Sequence, residues 1–170
     1  MKLLALAFLL LVAPACALAQ NPATYDLNVQ MRDAFYIFDR FEELSAGVTA
    51  QMDNYPVEIR RRSKKVLSKI VKIVELEKPR LNTMLGQSKP SSVDLFDIYN
   101  LLDQIAFEIG YESSNVAEFG DQKTSLDMAQ LSARAMGVAT NLGVILRAQI
   151  STQESQLPSC AHKTKAVPKS

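Results

Sequence analysis

Four times along this chain, apolar or small side chains recur at helical spacing, three times at alternating intervals of four and three residues and once as a broader face; the first three runs stop at a proline or a glycine, and the fourth fades after Ile150. That spacing puts the apolar residues on one face of a helix; it cannot serve a strand, whose faces alternate every second residue. In the first segment the stripe is Leu27, Met31, Ala34, Phe38, Phe41, Ser45, Val48 and Met52. Pro22 and Thr24 stand where the helix is expected to start, and Asn54-Tyr55-Pro56 ends it, because the residue before a proline avoids the helical region.

The second segment starts at Pro56 and carries a broader apolar face: Ile59, Val66, Leu67, Ile70, Val71, Ile73, Val74, Leu81 and Leu85. Pro79 lies inside it, where the missing N–H and the clash with the Glu75 carbonyl predict a kink or a break. Gly86 and Pro90 mark its exit. The third segment opens at Ser91 or Ser92 and runs through Leu95, Tyr99, Leu102, Ala106, Ile109, Ser113 and Val116 to Gly120, with Gly110 as a local weak point. The fourth starts between Asp121 and Ser125. Its stripe is Met128, Leu131, Ala135, Val138, Leu142 and Ile145, accompanied by the small residues Ala129, Ala133, Gly137, Ala139 and Gly143, which predict the most buried and most closely packed helix of the four.

Each segment is about 25–30 residues, or roughly 40 Å of helix at 1.5 Å per residue. Short connections between such rods force antiparallel neighbours. The expected fold is therefore all-α: an up-down-up-down antiparallel four-helix bundle with coiled-coil-like packing over residues 20–155. Residues 156–170 carry Pro158, Pro168 and scattered lysines without apolar periodicity, and read as a disordered tail.

Residues 1–19 have the form of a secretory signal peptide. Lys2 is followed by the apolar run Leu3 to Val12, and Ala17-Leu18-Ala19 has the small-x-small pattern that a signal peptidase recognises. The run is too short to span a bilayer, and no later one is long enough: the best, Ala135 to Leu146, is bracketed by Arg134 and Arg147. The expected location is a bacterial periplasm or the extracellular space. Cys16 would leave with the leader; Ala13-Pro14-Ala15 before it lacks the leucine of a lipidation signal. Cys160 then stands alone, so its candidate role is an intermolecular disulfide, linking a homodimer or a mixed pair. About 150 residues are enough to bury a core without a bridge or a metal.

The charges are segregated by segment. From Pro56 to Lys89 there are ten basic residues against three acidic ones; from Ser91 to Glu118 there are six acidic residues and no basic one. The first segment is acidic too, with only Arg32 and Arg40 against six carboxylates. Cross-helix pairing would let this pattern select register and topology, each exposed pair contributing little, ~0–1 kcal/mol. Seven cations between Arg60 and Lys72 cannot all face acidic neighbours, however. Arg60, Arg61, Arg62, Lys64 and Lys65, with Lys69 and Lys72 behind them, are candidates for binding an anion or a partner. A formal net charge of +1 argues against a dedicated nucleic-acid binder.

Histidine occurs once, at His162 in the tail, which excludes the paired carboxylate–histidine di-iron pattern of bundle oxidases and leaves a serine triad without fixed geometry. There is no glycine-rich phosphate loop, and Cys160-Ala161-His162 offers only two ligands to a metal. Glu42-Glu43 and Asp94/Asp97 read as solvated or first-turn carboxylates. No catalytic residue, cofactor or metal is expected. Phe35, Tyr36, Phe38 and Phe41 cannot all be buried by one helix face, so this cluster is a candidate contact for an apolar ligand or a partner. Two functions follow: a non-enzymatic interaction module of the cell envelope or exterior, acting through an unknown protein or envelope component, or a carrier of a small apolar ligand inside the bundle.

Overall fold

The computed structural model describes residues 26–85, 87 and 90–156. The expected leader, the tail from residue 157 on, Cys160 and His162 lie outside them. Among the described residues the chain is all-α: α1 Leu27–Gln51, a 3-10 turn Met52–Asn54, α2 Val57–Leu85, α3 Ser92–Phe119 and α4 Gln122–Gln156.

The helix starts are set by side-chain caps, which satisfy backbone N–H groups that have no intrahelical partner. Asp26, in an extended conformation, accepts the Asn28 N–H at 2.8 Å, so α1 begins at Leu27, later than Pro22 and Thr24 suggest. Ser91 accepts the Asp94 N–H at 3.1 Å, while its hydroxyl donates to the Asp94 carboxylate at 2.6 Å. Asp121 caps α4 by accepting the Thr124 N–H at 2.6 Å and the Thr124 hydroxyl at 2.7 Å. Those two bonds, with a third from Gln51, hold the Asp121 carboxyl down at about 2.

The connections reverse the chain each time, and contacts across the bundle show it. Arg62, early in α2, reaches Glu108 and Glu112, late in α3. Arg80, late in α2, reaches Asp94 and Asp97, early in α3. The result is an up-down type four-helix bundle in which α1 and α3 are diagonal and α3 and α4 pack closest. The core runs along the axis and includes Met31, Phe38, Phe41, Leu67, Ile70, Leu81, Leu95, Leu102, Ile105 and Leu142, all buried.

Two expectations are corrected. First, of the kink or break expected at Pro79, the break does not occur: α2 is one helix from Val57 to Leu85. Val74 before the proline and Leu81 after it are both fully buried, so packing on either side holds the helix through the lost bond. Second, α4 packs closely, as expected, but the most buried helix among the described residues is α3, and the small residues of α4 are not the reason for the close packing. Ala129, Ala133 and Gly137 face solvent, and only Ala139 among the accompanying set is buried. The close approach of α3 to α4 is made instead at Gly110, where a Cβ would lie 2.9 Å from Ser132 Oγ. That hydroxyl donates to the Ala106 carbonyl at 2.7 Å, and Ser125 likewise donates to the Ser113 carbonyl at 2.8 Å. Gly110, which weakens α3 locally, is thus the residue that lets the two backbones come together.

Candidate functional site

Three consecutive residues on a helix point about 100° apart, so Arg60, Arg61 and Arg62 cannot share a face. The structure sends them in three directions. Arg60 turns toward the α1 end and stands 3.6 Å from Asp53. Arg62 turns toward α3. Arg61 points outward and has no ion pair or side-chain hydrogen bond among the described residues.

The Arg62 side builds a buried polar cluster. Its guanidinium lies across the Tyr111 ring, 3.9 Å from the centroid, and donates to Glu108 and to Glu112, each at 3.1 Å. Glu112 is fully buried, at 0% exposure. It also accepts from the Ser63 hydroxyl, 2.8 Å from each carboxylate oxygen, and from the Asn115 amide at 3.1 Å. A buried carboxylate is tolerable only with this many donors. The neighbouring Tyr55 is buried against Phe119, with ring centroids 5.6 Å apart, and its hydroxyl has no partner among the described residues. Burial first, and the Glu112 and Asp121 charges next, push the Tyr55 phenol up to about 12.

Further along α2, half-buried Lys78 and exposed Arg80 are also engaged by carboxylates. Lys78 bridges Asp39 and Glu42 of α1, whose hydrogen bonds raise its pKa above the ordinary lysine value. Arg80 bridges Glu77, Asp94 and Asp97. Hydrogen bonds from Ser91 first and Arg80 second draw the Asp94 carboxyl below its usual range. Asp94, Asp97 and Glu42 are therefore ion-pair partners, and Glu43 holds Arg40 at 2.7 Å.

What remains on the outside of α2 is a cationic stripe. Arg61, Lys64, Lys65, Lys69 and Lys72 are all exposed, and none has an ion pair among the described residues. At 100° per residue they occupy an arc of about 140° and run about 16 Å along the axis. No acidic residue interrupts the sequence between Glu58 and Glu75. The same arc carries Val57 and Glu58 at one end and Glu75 and Leu76 at the other, all four exposed, Val57 at 50% and Leu76 at 73%. The set singled out from sequence thus divides: Arg61, Lys64 and Lys65 belong to this surface with Lys69 and Lys72, whereas Arg60 and Arg62 pair with carboxylates.

The aromatic cluster of α1 also divides. Phe38 and Phe41 are fully buried core residues. Phe35 lines an open groove of about 550 Å³ between α1 and α2, with Glu42, Lys78 and Pro79. Tyr36, 48% exposed, lines a second open groove of about 570 Å³ between α1 and α4, with the Arg134 guanidinium 4.2 Å from its ring centroid. The structure does not bring the four rings around one cavity. On α3, Val93, Phe96 and Phe107 are exposed as well, which the stripe on that helix did not indicate.

Sequence reading missed the Ser63–Glu112–Asn115 cluster. The signal was present: Ser63 falls in register with Leu67, Ile70 and Val74, and a polar residue at a core position requires a polar partner. Among the described residues no group of three or more His, Cys, Asp or Glu side chains is arranged to hold a metal ion, and no helix is long and apolar enough to cross a membrane. Comparison with family models, with curated proteins and with solved structures found no match.

Proposed function

We propose that this protein is an exported, non-enzymatic interaction module whose partner-binding surface is the outward stripe of α2. The observation that carries this reading is the division of labour within one helix. The cations that face a neighbouring helix are engaged by carboxylates, and the five that face outward have none among the described residues. Five like charges on one arc repel one another, and the two carboxylates on that arc, Glu58 and Glu75, pair with none of them among the described residues, so their concentration there adds little to the stability of the isolated bundle. It is explained by an anionic surface that meets them. Export rests on the leader-like residues 1–19, and the absence of expected acid–base chemistry rests on the single histidine in the tail.

The test is retention on an immobilised sulfated polysaccharide. The protein is expected to bind at low ionic strength and to elute as salt rises, because screening weakens exposed charges. A variant with Arg61, Lys64, Lys65, Lys69 and Lys72 all changed to Gln is expected to flow through, with unchanged helical circular dichroism. Retention of that variant equal to the original would remove α2 as the binding surface.

A further inference from the structure

We infer that the partner of the α2 stripe is the surface of an anionic phospholipid bilayer, an assignment that rests on the reading of α2 as an interaction surface. Three observations favour a lipid surface over a folded partner or a nucleic acid. Four of the five outward cations are lysines. Lysine presents a point charge on a flexible stem, without the planar fork that reads a carboxylate or phosphate in fixed geometry, and it is depleted from protein–protein interfaces. Such residues suit a fluid array of headgroups in which the anions move to the cations. No aromatic residue lies on α2 at all, so the surface offers no stacking platform for bases.

The third observation is apolar. Val57 and Leu76 flank the cations on the same arc and are left half or more exposed by the fold. They lie about 28 Å apart along the helix. A continuous helix with five cations along one ridge, and at each end an aliphatic side chain next to a single carboxylate, Glu58 or Glu75, fits a bilayer interface lying along its axis. The lysine stems reach headgroups, and the two aliphatic tips enter the acyl boundary. With only two such tips, binding is peripheral, reversible and dominated by charge.

The experiment is co-sedimentation of the full chain with two vesicle preparations, one of equal parts phosphatidylglycerol and phosphatidylcholine and one of phosphatidylcholine alone. Binding is expected only to the first. Lys65→Gln together with Lys72→Gln is expected to weaken it roughly 25-fold, about fivefold for each charge near the surface. Leu76→Ser is expected to weaken it roughly tenfold at high salt, where the charge contribution is screened. Both variants alter exposed positions, and unchanged circular dichroism confirms their fold. Equal binding to the two preparations, or binding indifferent to Lys65 and Lys72, overturns the assignment. So does tighter binding to polyglutamate or to a single-stranded oligonucleotide than to vesicles at matched charge. Failure to sediment with either preparation, while retention on the sulfated column persists, overturns the lipid assignment and leaves the α2 surface standing. Failure of both overturns both.

Discussion

Replacing Arg62 by Ala is expected to destabilise the bundle by about 3 kcal/mol, roughly 10 °C in melting temperature. Replacing Arg61, the adjacent residue, is expected to change stability by less than about 0.5 kcal/mol. The difference follows from what each side chain meets. Arg62 is the cation beside Glu112, a carboxylate with no solvent exposure. Its loss leaves Glu112 with the Ser63 and Asn115 donors only, and leaves Glu108 and the Tyr111 ring without their shared guanidinium. Arg62 itself is 38% exposed, but removing the cation that pairs with a buried carboxylate costs more than the pair contributes, because the remaining charge stays in a low-dielectric site. Arg61 leaves no such orphan. Denaturant unfolding followed by circular dichroism separates the two variants. Equal midpoints would show that Glu112 does not depend on Arg62.

Phe41→Ala is expected to cost 3–5 kcal/mol, roughly the range for an aromatic residue truncated in a filled core. Phe41 is fully buried, as are Phe38 and Ile37 beside it on α1 and Leu102 and Ile105 on α3. Truncation therefore removes dispersion contacts and opens a void that rigid helices cannot fully close. The measurement also distinguishes the two functions expected from sequence. A carrier holding an apolar ligand near Phe38 and Phe41 would have a cavity there already, and truncating a side chain at its wall would cost about 1 kcal/mol or less, the transfer contribution of a partly buried group. A loss in the upper range supports a closed core and a function carried by the surface.

The buried stripe of α4 was fully legible: Met128, Leu131, Ala135, Val138, Leu142 and Ile145 are all buried. So was the start of α3, because a serine preceding an apolar run has one dominant use as a cap. The fate of the basic run was harder to see. Its composition says only that seven cations cannot all be neutralised. Which ones remain free depends on the angle of each residue relative to the two neighbouring helices, α1 and α3, and that needs the register of the bundle. The small residues of α4 misled for a related reason. Smallness permits close approach, but Ala129 and Ala133 face solvent while Gly110 and Ser132 make the contact. At Pro79 the break that one lost hydrogen bond allows does not occur, because burial of Val74 and Leu81 on either side holds the helix together.

The central claim is that α2 divides its cations between holding the bundle and facing outward. Amine-selective acetylation of the purified protein at limiting reagent, read residue by residue by mass spectrometry, tests it most directly. Lys64, Lys65, Lys69 and Lys72 are exposed and unpaired among the described residues, and are expected to react fast. Lys78, held between Asp39 and Glu42 and kept protonated by them, is expected to react at least several-fold more slowly. Lys78 reacting as fast as the other four, or those four protected in the isolated protein, would contradict the claim.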